Sequence, residues 1–367
     1  MSRRNVCNRL VGVASVLACL LWFTDVQAAQ TSEPALIPAD YVSGAWLLYH
    51  DKYVGSDGRV IDTRANSISH SEGQGYGMLL AVKADDRRSF DRIWAWTKVN
   101  LYVRGDGLAS WRWDPASTPH VTDENNATDG DLLIAWALSL AAQKWQNGGY
   151  REAAQAIAGA IAKNVVVDSS YGKILLPGIH GFSSKDQPDG PIVNLSYWVF
   201  PAIRDLGAVS AAFPAEELIK TGLELTRDAR FGPAALPSDW ISLASARPVP
   251  ARDYPAQFGH DAIRVPLYLA WYSRDYPDVL GTYEKSWRNA REPSVAVIEL
   301  ATATPIAGMG DPGYVAVADL VSCSVGSEKT ADRAAAFQTT DYYPSTLHLL
   351  SLIALAERYP RCLPDLQ

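Results

Sequence analysis

Apolar residues recur along this chain at helical spacing, and in a few stretches they occupy every side of the helix. Residues 129–145 are the strongest case. Leu132, Leu133, Ala135, Trp136, Leu138, Leu140 and Ala141 leave hardly any polar face, which predicts a helix buried on both sides. Residues 72–83 and 261–275 are similarly apolar. Each is followed by a more amphipathic helix, over 89–101 (Phe90, Ile93, Trp94, Trp96), 150–165 and 276–289. Helical periodicity also marks 39–53 (Trp46, Leu47, Tyr49), 196–213 with an early interruption at Pro201, 215–227 and 341–359. Residues 102–126, 166–195 and 231–259 are expected to be loops, the second with short extended pieces. Residues 290–340 are expected to be irregular with pieces of helix.

Buried helices thus alternate with polar ones, and long loops precede the buried ones. Strand signals are few, so the fold is expected to be all-α. A superhelical array or a closed toroid of helical hairpins would fit. No short repeat is visible, which argues against a regular solenoid and favours the closed α/α toroid. No linker separates two halves, so a single domain is expected.

With 48% hydrophobic and 20% charged residues, the chain has the balance of a folded globule. Its Trp (12) and Tyr (17) outnumber Phe (8), and such amphipathic aromatics suit a wet surface that stacks flat ligands, besides filling a core. A net charge of −7 argues against a nucleic-acid partner. At the N-terminus, Arg3, Arg4 and Arg9 precede an apolar run over 10–23 and the small-residue site Val26-Gln27-Ala28. Residues 1–28 therefore read as a signal peptide, and 29–367 as an exported chain, periplasmic or secreted. No later stretch is long and apolar enough to anchor it in a membrane. Cys7 and Cys19 leave with the signal, while Cys323 and Cys362 remain as candidates for one disulfide. No Cys/His cluster has metal-site spacing, so neither metal nor cofactor is expected.

Three of the buried helices begin alike. Glu72 precedes Gly73-Gln74-Gly75-Tyr76-Gly77, Asp129 lies in Ala127-Thr128-Asp129-Gly130-Asp131, and Asp261 lies in Phe258-Gly259-His260-Asp261-Ala262. Taken singly, each acid could be a helix N-cap. In a toroid whose inner helices run parallel, the three would share one rim and converge. Convergent acids among Trp and Tyr suit glycoside hydrolysis, in which one protonated acid serves the leaving oxygen and one carboxylate activates water or attacks the sugar. The glycines after Glu72 read as clearance for a ligand or for another backbone.

These stretches resemble glycoside hydrolase family 8. Residues 71–78 resemble its catalytic-acid motif, and residues 127–145 its signature helix. Leu108-Ala109-Ser110-Trp111-Arg112-Trp113, Asn194-Leu195-Ser196-Tyr197 and Asp261-Ala262-Ile263-Arg264-Val265 match in the family's order. The resemblance implies an (α/α)6 toroid and inverting hydrolysis of β-1,4-glucan without a metal. By position, Glu72 is then the general acid, the one expected to hold a proton, and Asp261 the general base. Asp129 binds and helps distort the sugar. Trp111, Trp113 and Tyr197 match sugar-binding positions, Arg264 orients the base or a hydroxyl, and Asp131 and His260 flank the site. Within the family the chain is most similar to the periplasmic branch that accompanies bacterial cellulose synthesis, which implies a cellulose or related β-glucan chain as substrate and a cellulose synthase complex as partner. Chitosan, xylan or mixed-linkage glucan are the alternative substrates, and a catalytically weak glycan-binding accessory is the alternative role.

Two positions depart from the family pattern. His260 stands before the proposed base where Tyr is common, and Leu195 replaces a proline. Trp94, Trp96 and Trp136 sit inside helices and are expected to pack rather than to touch substrate.

Overall fold

The structure is a computed structural model that describes residues 39–289, 295–326 and 332–363. The expected signal segment lies outside the described residues. Twelve helices are described: α1 (Ala39–Tyr53), α2 (Ser71–Lys83), α3 (Arg87–Asn100), α4 (Thr128–Lys144), α5 (Gly148–Asn164), α6 (Phe200–Val209), α7 (Ala215–Asp228), α8 (Arg264–Tyr272), α9 (Pro277–Asn289), α10 (Pro312–Ser324), α11 (Asp332–Ala335) and α12 (Tyr342–Arg358).

The even-numbered helices form an inner ring. Each packs on the next, α2 on α4, α4 on α6, α6 on α8, α8 on α10 and α10 on α12, and α12 returns to α2. Odd-numbered helices back them from outside, α3 on α2, α5 on α4, α7 on α6 and α9 on both α8 and α10. This is the (α/α)6 toroid. It explains the two kinds of apolar pattern. Leu132 to Leu138 of α4 are all buried because an inner helix has neighbours on every side, whereas α7 buries Leu218, Thr221, Gly222 and Leu225 on one face.

The ring closes between its first and last elements. Tyr49 Oη lies 3.0 Å from Thr346 Oγ1, and Tyr53 Oη lies 2.9 Å from Ser345 Oγ and donates to Thr340 O at 2.8 Å. Trp46, Tyr49 and Tyr53 are buried there, while Leu47, grouped with them by periodicity, is exposed. A disulfide joins Cys323 at the end of α10 to Cys362 beyond α12.

Close helix contact needs glycine at two places. A Cβ on Gly75 would come within 2.6 Å of Leu133 Cβ, and one on Gly130 within 2.2 Å of Ser71 Oγ and 2.7 Å of Glu72 N. These glycines let the first turns of α2 and α4 touch. All three glycines after Glu72 are buried against protein, so they serve helix packing and not passage of a ligand.

Two segments differ from expectation. Residues 261–263 form a turn, and α8 begins only at Arg264, so Asp261 precedes the helix. The segment read as irregular holds strands Ala296–Glu299 and Thr304–Gly308, paired in one small sheet with Gln257–Phe258, and then α10. Pro312 at the start of α10 is a helix-initiating signal.

Candidate active site

The starts of the inner helices meet at one rim, and Arg264 lies at its centre. This guanidinium belongs to the first residue of α8 and is 3% exposed. Its Nη1 donates to Glu72 Oε1 and, at 3.0 Å, to Asp129 Oδ2, while Nη2 donates to Asp261 Oδ1 at 2.9 Å. The three acids that open similar sequence motifs thus converge on a single cation.

Glu72 does not cap α2. The cap is His70, whose Nδ1 accepts the Gly73 N–H at 3.0 Å. That bond leaves the ring proton on Nε2, which faces Asp62 Oδ2 at 3.4 Å. Glu72 is free to turn inward, where Oε1 also accepts from Tyr76 Oη at 3.3 Å, and Tyr76 in turn pairs with Tyr268 Oη at 2.6 Å. Glu72 Oε2 is 3.9 Å from His70 Nδ1. Asp129 is held on the first turn of α4, with Oδ1 accepting the Gly130 N–H at 2.8 Å.

One cation among three enclosed carboxylates leaves an excess of negative charge. Burial pushes Asp129 upward. Burial, then the charges of Asp239 and Asp129, push Asp261 up to about 8. Its side chain lies deep in the rim yet is one-third exposed, so water reaches it. Burial thus favours the protonated form of both aspartates.

Asp131 is not at the rim surface. Its carboxyl is fully buried and accepts from Ala109 N–H at 2.8 Å and Asn126 Nδ2 at 2.9 Å. Burial pushes it up to about 7. It ties the 102–126 loop to α4, and the expectation that it flanks the site at the rim is corrected accordingly. Trp113 is half-buried, like Trp111. Strand β1 (Ser69–His70) pairs with β2 (Arg112–Trp113), and the Trp113 ring packs on His120 at 4.3 Å and Trp96 at 5.4 Å, with the Arg59 guanidinium 5.0 Å from it.

Trp111 stands half-buried in the same loop, fastened by Ser71 N–H to its carbonyl at 3.0 Å and by its indole N–H to Asp123 Oδ2 at 2.8 Å. Tyr197 is half-buried before α6, its ring 5.8 Å from the Arg264 guanidinium. His260 is exposed, its ring edge-on to Tyr314 at 5.7 Å and its carbonyl accepting from Tyr343 Oη at 2.6 Å. Trp94, Trp96 and Trp136 are buried, as their helical positions lead one to expect.

The family model described as "Glycosyl hydrolases family 8" matches residues 10–357. The chain belongs to glycosyl hydrolase family 8. A "Probable endoglucanase" of Novacetimonas hansenii is 38% identical over 322 residues, which is 87% of this chain and 92% of that protein. An "Endoglucanase" of Cellulomonas uda is 39% identical over 242 residues, covering 66% of this chain and 67% of that one. The solved endo-beta-1,4-glucanase CMCax from Acetobacter xylinum superposes with a TM-score of 0.80 at 37% identity, over 88% of this chain and 99% of that one. As a family 8 member the chain is a glycoside hydrolase.

Several groups of this family 8 site stand beyond the residues that the sequence singles out. Tyr76, one helical turn after Glu72, could have been found by its spacing. Asn194 opens the turn before α6 and acts on Asp261 through its side chain. Trp240 stacks between Phe182 (5.5 Å) and Tyr254 (4.6 Å), with its edge toward Tyr197 at 6.3 Å. Both Trp240 and its neighbour Asp239 lie in a Pro-rich loop whose pattern predicts nothing about direction.

Proposed function

We propose that this chain is an endo-β-1,4-glucanase that hydrolyses β-1,4-glucan with inversion, Glu72 acting as general acid and Asp261 as general base. The observation that carries the reading is the bridging of Glu72, Asp129 and Asp261 by the Arg264 guanidinium at an open rim. Glu72 Oε1 is engaged by Arg264 and Tyr76, so the proton for the glycosidic oxygen sits on Oε2. Asp261 is held by the other guanidinium nitrogen, and an acid and base on separate nitrogens need not touch. Inversion requires a gap of about 6.5–9.5 Å between them to admit water. In the productive distribution of protons, Glu72 is neutral and Asp261 is charged. Arg264 Nη2 favours that charge against the upward push of burial. As the bond breaks, Glu72 gives its proton to the leaving sugar, and Asp261 takes one from the attacking water. Asp129 is nearly inaccessible and ionises beside Arg264, where it favours the positive charge that develops on the sugar ring.

Trp111 and Tyr197 supply apolar faces for pyranose rings. The similarity to endoglucanases favours a β-1,4-glucan over chitosan or xylan. We further infer that residues 1–28 direct export, that 29–367 act as one catalytic domain in the periplasm or outside the cell, and that the chain works beside a cellulose synthase complex. The deciding experiment follows cello-oligosaccharide cleavage by proton NMR. The first product is expected as the α-anomer; a β-anomer overturns inversion, and absence of cleavage with turnover of xylan or chitosan overturns the substrate.

A further inference from the structure

Asp261 lies in a turn, not in a helix, so the order of its carboxylate needs a source. Helix packing fixes Glu72 and Asp129, whereas residues 260–263 form a turn whose Ala262 and Ile263 are buried while Asp261 itself is not anchored by a helix of its own. What lies behind the turn is Asp239, a carboxylate 6% exposed that the reaction itself does not use. Its Oδ1 accepts the N–H of Gly259 at 2.9 Å and of Ala262 at 2.8 Å, two residues before Asp261 and one after. Its Oδ2 accepts from Gln257 Nε2 at 3.2 Å, and its own N–H donates to Gln257 O at 2.9 Å. A Cβ on Gly259 would come within 2.3 Å of Asp239 Oδ2, so only glycine lets this carboxylate lie against the backbone.

We propose that Asp239 is a positioning residue for Asp261, clamping the turn that carries it and setting a second carboxylate behind it. This rests on Asp261 being the general base. The charged and titratable groups that face Asp261 are Arg264 at the start of α8, Asp129 from α4, Tyr197 before α6, Tyr343 from α12, and Asp239. Asp129 and Arg264 also serve the sugar and the acid, so neither can be adjusted for Asp261 alone. Asp239 acts on Asp261 without sharing those tasks. Asp239 itself is faced by the Gln257 amide, by His260 and by Asp261. A negative charge there resists ionisation of Asp261 and makes it a stronger base toward water, while the two N–H bonds keep it aimed.

Asp239→Asn retains an oxygen for both N–H donors and removes the charge. Asp239→Ala removes both. The measurement is the pH dependence of kcat and kcat/KM on a soluble cello-oligosaccharide, with thermal melting of each variant and Asp261→Asn as a control. In Asp239→Asn the acid limb of the profile is expected to move down by about one pH unit, with kcat lower by about tenfold. In Asp239→Ala kcat is expected to fall by about 100-fold with KM changed less than about threefold, since the base is misplaced while the binding surface persists. An acid limb that stays in place in Asp239→Asn overturns the proposal. So does a loss of activity in both variants that merely follows loss of folded protein. If the alanine variant does not fold, the asparagine profile decides alone. Activity retained by Asp261→Asn overturns the assignment of the base. An inactive Asp261→Asn beside an unmoved Asp239→Asn profile overturns only the role of Asp239.

Discussion

Glu72 and Asp261 meet at the same guanidinium, but they arrive there by different physical routes. The acid stands on the first turn of a buried helix, and two small residues, Gly75 and Gly130, let that turn press against α4. Its place follows from van der Waals contact within a few residues of the motif. The base stands on a turn before its helix and is held by hydrogen bonds from residues far away in sequence, Asp239 and, through the His260 carbonyl, Tyr343. Close packing has two outcomes, fit or clash, whereas a hydrogen-bonded turn can shift by fractions of an ångström. The acid side is therefore expected to fail through stability, and the base side through rate.

The sharpest break of this contrast removes the chemistry and leaves both scaffolds. Glu72→Gln and Asp261→Asn should each lower kcat on cello-oligosaccharide by about 10³–10⁴-fold, with melting temperatures near that of the unaltered protein. A variant with near-normal release of product removes its residue from the mechanism. Next in size is Arg264→Met, which takes away the one feature shared by the two sides. It leaves enclosed carboxylates without their cation and should lower stability by about 3 kcal/mol, read by urea unfolding, together with a loss of activity. Unchanged stability would mean that the acids take up protons at little cost.

Two smaller changes separate the sides. Gly130→Val drives a side chain into Ser71 and the Glu72 backbone and is expected to cost about 1–3 kcal/mol, with the rate falling as the α2–α4 contact opens. Should it melt normally, the close approach is not what fixes Glu72. His70→Ala removes the cap on α2 and is expected to cost about 1 kcal/mol, with His70→Asn restoring most of it, since Asn is a good cap. Equal melting of the two variants would show that the cap adds nothing.

The same contrast governs what could be read from the chain. The acid side was legible because its determinants are local: a glycine-rich start, an apolar helix, and a second helix of the same kind. α1, α2 and α4 come out close to their expected bounds. The base side was not. Periodicity over 261–275 cannot tell a helix from the turn that introduces it, and the clamp that makes the turn useful sits some twenty residues earlier in a Pro-rich loop. Trp111 and Trp113 alternate in one loop and look equivalent in sequence, yet strand pairing with Ser69–His70 turns Trp113 onto Trp96 and His120. Asp129 and Asp131 differ in the same way. Two positions apart on a helix, they point to different places, one to Arg264 and the other to the Ala109 backbone.

The seam of the ring has a consequence in time. Tyr49 and Tyr53 belong to the first described helix, and their hydroxyl partners Thr346 and Ser345 lie 297 and 292 positions further along the chain. During synthesis, the aromatic face of α1 leaves the ribosome long before the groups that satisfy it exist. At roughly 5–20 residues per second that interval is on the order of tens of seconds, far longer than a helix needs to form or a short chain to collapse. The ring can thus be assembled hairpin by hairpin, but it cannot be locked until the first turn of α12 has been made. A chain stopped short of that point keeps its acids and its cation, yet lacks the latch that holds the circle shut.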